Sequence, residues 1–140
     1  KPITELLQKY LDWANMNEKK QGRTGELNGI LVNWYKEQAL KLFEKKINKF
    51  SKIIGVTPKS ISTRTYSKRW GSCSSKGDIS FNWRILMAPN SIIDYVIVHE
   101  LCHLIHHDHS PKYWRTVKSF YPDYKEKVEW LRHNSRTLSW

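Results

Sequence analysis

The sequence predicts an α+β fold with one small antiparallel sheet and several helices. Three observations predict it. A helical apolar stripe runs up to residue 54, short alternating segments crowd residues 60 to 84, and helical periodicity returns from residue 92 onward. Strands grouped together and then followed by helices read as α+β, whereas a doubly wound sheet would alternate the two. At 140 residues the chain is long enough to bury one core without staples.

The elements follow in order. Ile3, Leu6, Leu7, Tyr10, Leu11 and Ala14 fall at helical spacing and predict a short amphipathic helix. Residues 15 to 29 are polar and hold Gly22, Gly25 and Gly29, which reads as a linker. A boundary near Asn33 then divides an N-terminal helix and linker, 1–33, from a main domain, 34–140. Trp34, Tyr35, Ala39, Leu42, Phe43, Ile47, Phe50 and Ile54 form one stripe, so a helix spans 34–54 and stops at Gly55 and Pro58. Ser60 to Tyr66 alternates and is rich in β-branched residues, as a strand should be. Residues 70–73 and 78–84 flank Ser74-Ser75-Lys76-Gly77 and predict a hairpin, giving three antiparallel strands.

Beyond Ala88-Pro89, residues 92 to 106 read as a helix started by a capping box from Ser91 to Asp94. Ser110 and Pro111 are N-cap and first residue of the next helix, whose apolar side is Trp114, Val117 and Tyr121 and which Pro122 ends. A last helix starts at Asp123 to Glu126 and buries Val128, Leu131 and Leu138.

Composition narrows the function classes. The two cysteines, Cys73 and Cys102, make a disulfide framework improbable and favour a reducing, cytoplasmic setting. No apolar run is long enough for a transmembrane helix, so no membrane role is expected. The chain starts at Lys1 rather than Met, as a piece of a longer protein would. Its net charge of +11 is concentrated between Lys36 and Lys76, where eleven Lys/Arg meet two acids. That block is either a solvated helix face, formed by Lys36, Lys41, Lys45, Lys46, Lys49 and Lys52, or a surface for nucleotide, nucleic acid or an acidic protein.

The chemistry concentrates in His99-Glu100-Leu101-Cys102-His103, with His109 six residues further on. On a helix, His99 and His103 lie one turn apart on one face and reach one ion together. Zinc hydrolases hold the metal with three protein ligands and keep a fourth position open for water, and neutral imidazole suits zinc. His109 is the natural third ligand, with His106 and His107 as spares. Glu100 stands about 100° round the helix from His99, placed to act as general base on that water. The bland alternative makes these side chains core histidines and a solvated helix end. Cys102 is a small buried residue or, on the rival view, a thiolate ligand. Oxyanion candidates are Tyr113, Tyr124, His107 and Arg84.

Longer strings carry a family resemblance. Residues 68–77 (Lys68 to Gly77), 79–89 (Ile79 to Pro89), 93–104 (Ile93 to Leu104), 109–114 (His109 to Trp114) and 121–125 (Tyr121 to Lys125) closely resemble the YgjP-like metallopeptidase family of zincins, over roughly Trp34 to the end. The resemblance implies a zincin-like fold, Zn2+ bound by His99, His103 and His109, Glu100 as catalytic base, and a peptide or protein substrate. The stretch before Trp34 departs from it, since the family is usually β-rich there. Nucleoside triphosphate pyrophosphatase chemistry is also attributed to the family, and Lys68, Arg69, Lys76 and Arg84 would then clamp phosphates. A reading of another class is a basic nucleic-acid-binding module with a structural metal. Closed structural sites usually have four Cys/His ligands, which argues against it.

Overall fold

The computed structural model describes residues 24–66 and 69–138, so the short helix expected at residues 3 to 14 lies outside the described residues. Helix α1, Thr24–Ile54, is 31 residues long. Tyr35, Ala39, Phe43, Ile47 and Ile54 along it are buried, as the stripe requires. It is already helical at Thr24, the first described residue and ten before the expected start, and it crosses position 33 without a break. The linker reading came from Gly25 and Gly29, which cost about 1 kcal/mol each in a helix interior, and from the lack of an apolar period. At Gly29 exposure explains it: a Cβ there would meet no atom within 4 Å, and the neighbouring Ile30 is 62% exposed. Gly55, at φ 83°, ends the helix, its N–H donating to Ser51 O at 2.8 Å.

Three strands follow: β1, Ser60–Arg64; β2, Gly71–Cys73; and β3, Asp78–Asn82. Their order is β1-β3-β2. β2 and β3 form the expected hairpin, with Gly77 at φ 91° in its turn. The all-antiparallel expectation is corrected at β1, which pairs parallel with β3, Ile61 opposite Ile79 and Thr63 opposite Phe81. The sheet is therefore mixed. Alternation identifies a strand but carries no information on its neighbour, and here the connection after β1 crosses the end of β3 to reach the far edge. Asn82 holds that crossing. Its side-chain amide donates to Tyr66 O at 3.0 Å and to Arg69 O at 2.9 Å, and its backbone N–H donates to Trp70 O at 2.8 Å.

The same Asn82 caps a 3-10 turn, Trp83–Met87, by accepting from Arg84 N, so the strand stops two residues sooner than expected. Trp83 stacks on Tyr35 of α1 at 5.4 Å between ring centres, and Phe81 lies 5.2 Å from Phe43. These contacts set the sheet and the 3-10 turn against α1.

Helix α2, Asn90–Cys102, runs through the middle. Ile92, Ile93, Tyr95, Val96, Ile97, Val98, Leu101 and Cys102 are all buried, and a helix apolar on every side must be covered on every side. The covers are α1, β2, helix α3 at Pro111–Phe120, and helix α4 at Tyr124–Leu138. The expected capping box is not used. Pro89 is the N-cap, without a side-chain bond, and Asp94 instead accepts from Lys46 of α1 at 2.6 Å. The C-terminus is also shorter than expected, because the chain leaves the helix at His103. Ser110 caps α3 and Pro111 opens it, as expected. Tyr113 and Val117 are its buried residues, with Trp114 half-buried.

Replacing Asn82, 3% exposed, by alanine removes three hydrogen bonds and leaves two carbonyls and an amide without their partner. We expect a loss of about 2–4 kcal/mol, read from the midpoint of urea unfolding.

Candidate metal centre

The site lies where α2 ends. His99 projects from its last turn, His103 is the C-cap at φ −67° and ψ −17°, and His109 sits immediately before the α3 N-cap. The chain between them is fixed by its own hydrogen bonds. His103 N–H donates to Glu100 O at 3.1 Å and Leu104 N–H to Leu101 O at 3.0 Å, continuing the helix as tighter turns that swing the backbone round to α3.

The ligand atoms of His99, His103 and His109 all lie within 4.8 Å of one another, and the Nε2 atoms of His103 and His109 are 3.1 Å apart. Tetrahedral zinc at its usual bond lengths spaces its nitrogens by about 3.3 Å. The protonation pattern suits that use. His103 Nδ1 is 3.0 Å from His106 O, a group that only accepts, so the proton is on Nδ1 and the Nε2 lone pair faces the other histidines. His99 Nδ1 is engaged by the Tyr95 hydroxyl at 3.1 Å, leaving its Nε2 for the site. Such outer contacts orient metal-ligating imidazoles. His109 is exposed, and its ring stacks on Trp114, which stacks in turn on Tyr124. The donor set and its orientation therefore fit a metal ion. His107 borders the same cavity, whereas the ring N–H of His103 already bonds the carbonyl of His106.

Glu100 is 5% exposed, with Oε2 4.0 Å from His99 Nε2. Burial pushes its carboxyl up from 4.5 to about 8, against a smaller opposing pull from Arg69. Burial, with the neighbouring His103 and His109, holds His99 down from 6.5 to about 3. Without metal both groups are neutral near pH 7, so their 4.0 Å approach is a contact between neutral groups and not an ion pair.

Strand β2 closes over Glu100 because residue 71 is glycine. A Cβ there would come within 2.9 Å of Ser80 O and 3.1 Å of Glu100 Oε2. The sequence marked Gly71 only as part of a matching string; its role depends on a distance between β2 and α2. Tyr95 had a local signal, since it stands four residues before His99 on the same helix face.

The oxyanion candidates separate. Tyr113 is fully buried and its hydroxyl donates to His99 O at 2.9 Å. Arg84 donates to Tyr66 O, away from the cavity, and Tyr124 stacks under Trp114. His107 alone of the four lines the cavity. Of the four expected phosphate clamps, Arg69 lines it, Arg84 and Lys76 do not, and Lys68 lies outside the described residues. Cys102 is fully buried, its thiol pushed up to about 12 by burial, which suits the small core residue and not a thiolate ligand.

Two outcomes follow. In metal-free protein the unfolded chain binds the His99 proton below 6.5 and the native state does not, so this group adds stability as pH rises from about 3 to 6.5. Glu100 acts oppositely, because the native state keeps a proton that the unfolded chain loses above 4.5, so stability falls up to about pH 8. Above 6.5 only the fall remains, and denaturation midpoints in chelator should drop between pH 6.5 and 8 in the wild type but not in Glu100→Gln. Gly71→Ala should retain metal by elemental analysis yet lower kcat at least about tenfold, since a displacement near 1 Å at the reacting groups is enough for that.

Comparison with known proteins agrees with this picture. Residues 5–134 match the family model described as the YgjP-like metallopeptidase domain, so the match begins well before Trp34. The fold is similar to the crystal structure of the metallopeptidase zymogen of Pyrococcus abyssi abylysin, with a TM-score of 0.59 and 23% identity over 69% of this chain and 96% of that one. No curated protein sequence matches. Among the described residues no helix is long and apolar enough to cross a membrane. With 130 of its 140 residues inside the family match, the chain belongs to the YgjP-like family of metallopeptidase domains.

Proposed function

We propose that the protein is a zinc-dependent peptidase in which His99, His103 and His109 bind the metal and Glu100 is the general base. The observation that carries this reading is three imidazoles with ligand atoms within 4.8 Å of one another beside a buried carboxylate. When bound, zinc supplies the positive charge that polarises the scissile carbonyl and its attacking water, and favours the ionised form of Glu100. Glu100 takes the proton of that water as its oxygen attacks the carbonyl carbon, and delivers it to the departing amine nitrogen. Burial of Glu100 keeps bulk water from levelling its basicity. Tyr95 and the His106 carbonyl hold His99 and His103 in register throughout.

A peptide, rather than a nucleotide, is the substrate that the surroundings favour. β2 is an edge strand of the sheet and lines the cavity over the histidines through Gly71, Ser72 and Cys73. An extended chain can pair with such an edge and so present a carbonyl at a fixed height. Among the described residues no glycine-rich phosphate loop borders the cavity. A cytoplasmic location suits the free thiols Cys73 and Cys102.

Elemental analysis beside assays on casein and UTP tests the reading. Glu100→Gln should keep one zinc per chain and lose at least about a hundredfold in kcat on casein, the low end of general-base contributions. His109→Ala should lose zinc as well. Full activity in Glu100→Gln, or zinc-free protein as purified, would overturn it.

A further inference from the structure

The cavity over the histidines, about 710 Å³, carries two charges that the hydrolytic step does not use. Arg69 and Arg132 both line it, and the carboxylate among its lining residues is Glu100, buried and turned to the imidazoles. The rest of the wall near them is Trp70, Trp114 and Val128, the last 37% exposed.

Arg69 is held in place by the core. Its carbonyl and that of Trp70 accept from the buried Asn82 at 2.9 and 2.8 Å, so the backbone leading from this exposed residue into β2 is fixed to the end of β3. Among the described residues no carboxylate forms a salt bridge with it. Arg132 pairs with Glu129 at 2.7 Å, and with the two side chains 70% and 54% exposed that pair is weak. Arg69 immediately precedes Trp70 and β2, the strand along which an extended peptide would lie. A peptide there would pass the Arg69 guanidinium at the strand and face a second on α4.

We propose that Arg69 and Arg132 make this site selective for acidic peptide segments, their guanidiniums receiving the carboxylate of a Glu or Asp side chain close to the scissile bond. The inference rests on the peptidase reading above. Paired guanidinium and carboxylate groups match in shape as well as charge. The apolar wall between them takes the methylenes of the same side chain.

The test begins with a mixed peptide pool, with cleavage sites identified by mass spectrometry, followed by matched peptides carrying Glu, Ala or Lys at the selected position. The wild type should prefer Glu over Lys by about tenfold or more in kcat/KM at low salt, and the ratio should shrink as salt rises. Arg69→Glu and Arg132→Glu should invert the ratio, and Arg69→Gln and Arg132→Gln should flatten it. Zinc content measured on each variant identifies any that has lost its fold, and the neutral pair keeps the test decisive if the reversed pair does not fold. Absence of any Glu100-dependent cleavage of peptides would sink the peptidase reading itself. Glu100-dependent cleavage without a charge preference, or with a preference that survives both reversals, would overturn the arginine assignment alone. Glu100-dependent hydrolysis of UTP abolished by the same reversals would overturn it too, by giving the arginines to phosphate.

Discussion

A carboxyl group sealed between a helix and a strand is the constraint from which most of this architecture follows. Glu100 sits on a helix that is apolar on every side, so α1, α3, α4 and the sheet must all cover that helix, and the one polar seam left open is where β2 passes over its end. The seam is narrow because Gly71 lacks a side chain. A wider seam would let water reach the carboxyl and return it to ordinary acidity. The low acidity of Glu100 and the bare backbone at residue 71 are thus one feature described from two sides.

Polar groups near the site divide by what they can reach. Tyr95 engages His99, the His106 carbonyl engages His103, and Trp114 packs on both His109 and His99. Ser72, Ser80 and Tyr66 form a separate hydroxyl triangle, with separations of 2.6 to 3.2 Å, that ties β2 and β3 to the crossover. Asn82 completes that crossover from beneath. The imidazoles and the strand facing them are thus each braced by their own set of partners.

Much of this was legible in the sequence, and the reasons are local. The stripe from Tyr35 to Ile54, the hairpin at Gly77 and the Ser110-Pro111 helix start are encoded by residues close together in the chain, and the structure has them where expected. The spacing of His99, His103 and His109 likewise anticipated three imidazoles meeting. What escaped depends on partners far along the chain. The parallel pairing of β1 is settled by Asn82 reaching back to Tyr66, which no alternation pattern encodes. Asp94 looked like a capping residue until Lys46 of α1 claimed it, and Gly29 looked like part of a linker because it stands on an open face of the helix.

Tyr113 belongs to α3, yet its hydroxyl is bonded to the His99 carbonyl, its ring stacks on His103 at 4.3 Å, and it packs against His109 at 5.2 Å. One buried ring therefore touches all three histidines and also docks α3 on α2. Local opening of that helix pair cannot leave the imidazole cluster behind, and the cluster cannot loosen without freeing the helix pair. In the hydrogen-exchange sense the two form a single cooperative unit, and a metal held by the histidines tightens α3 as directly as it tightens its own ligands.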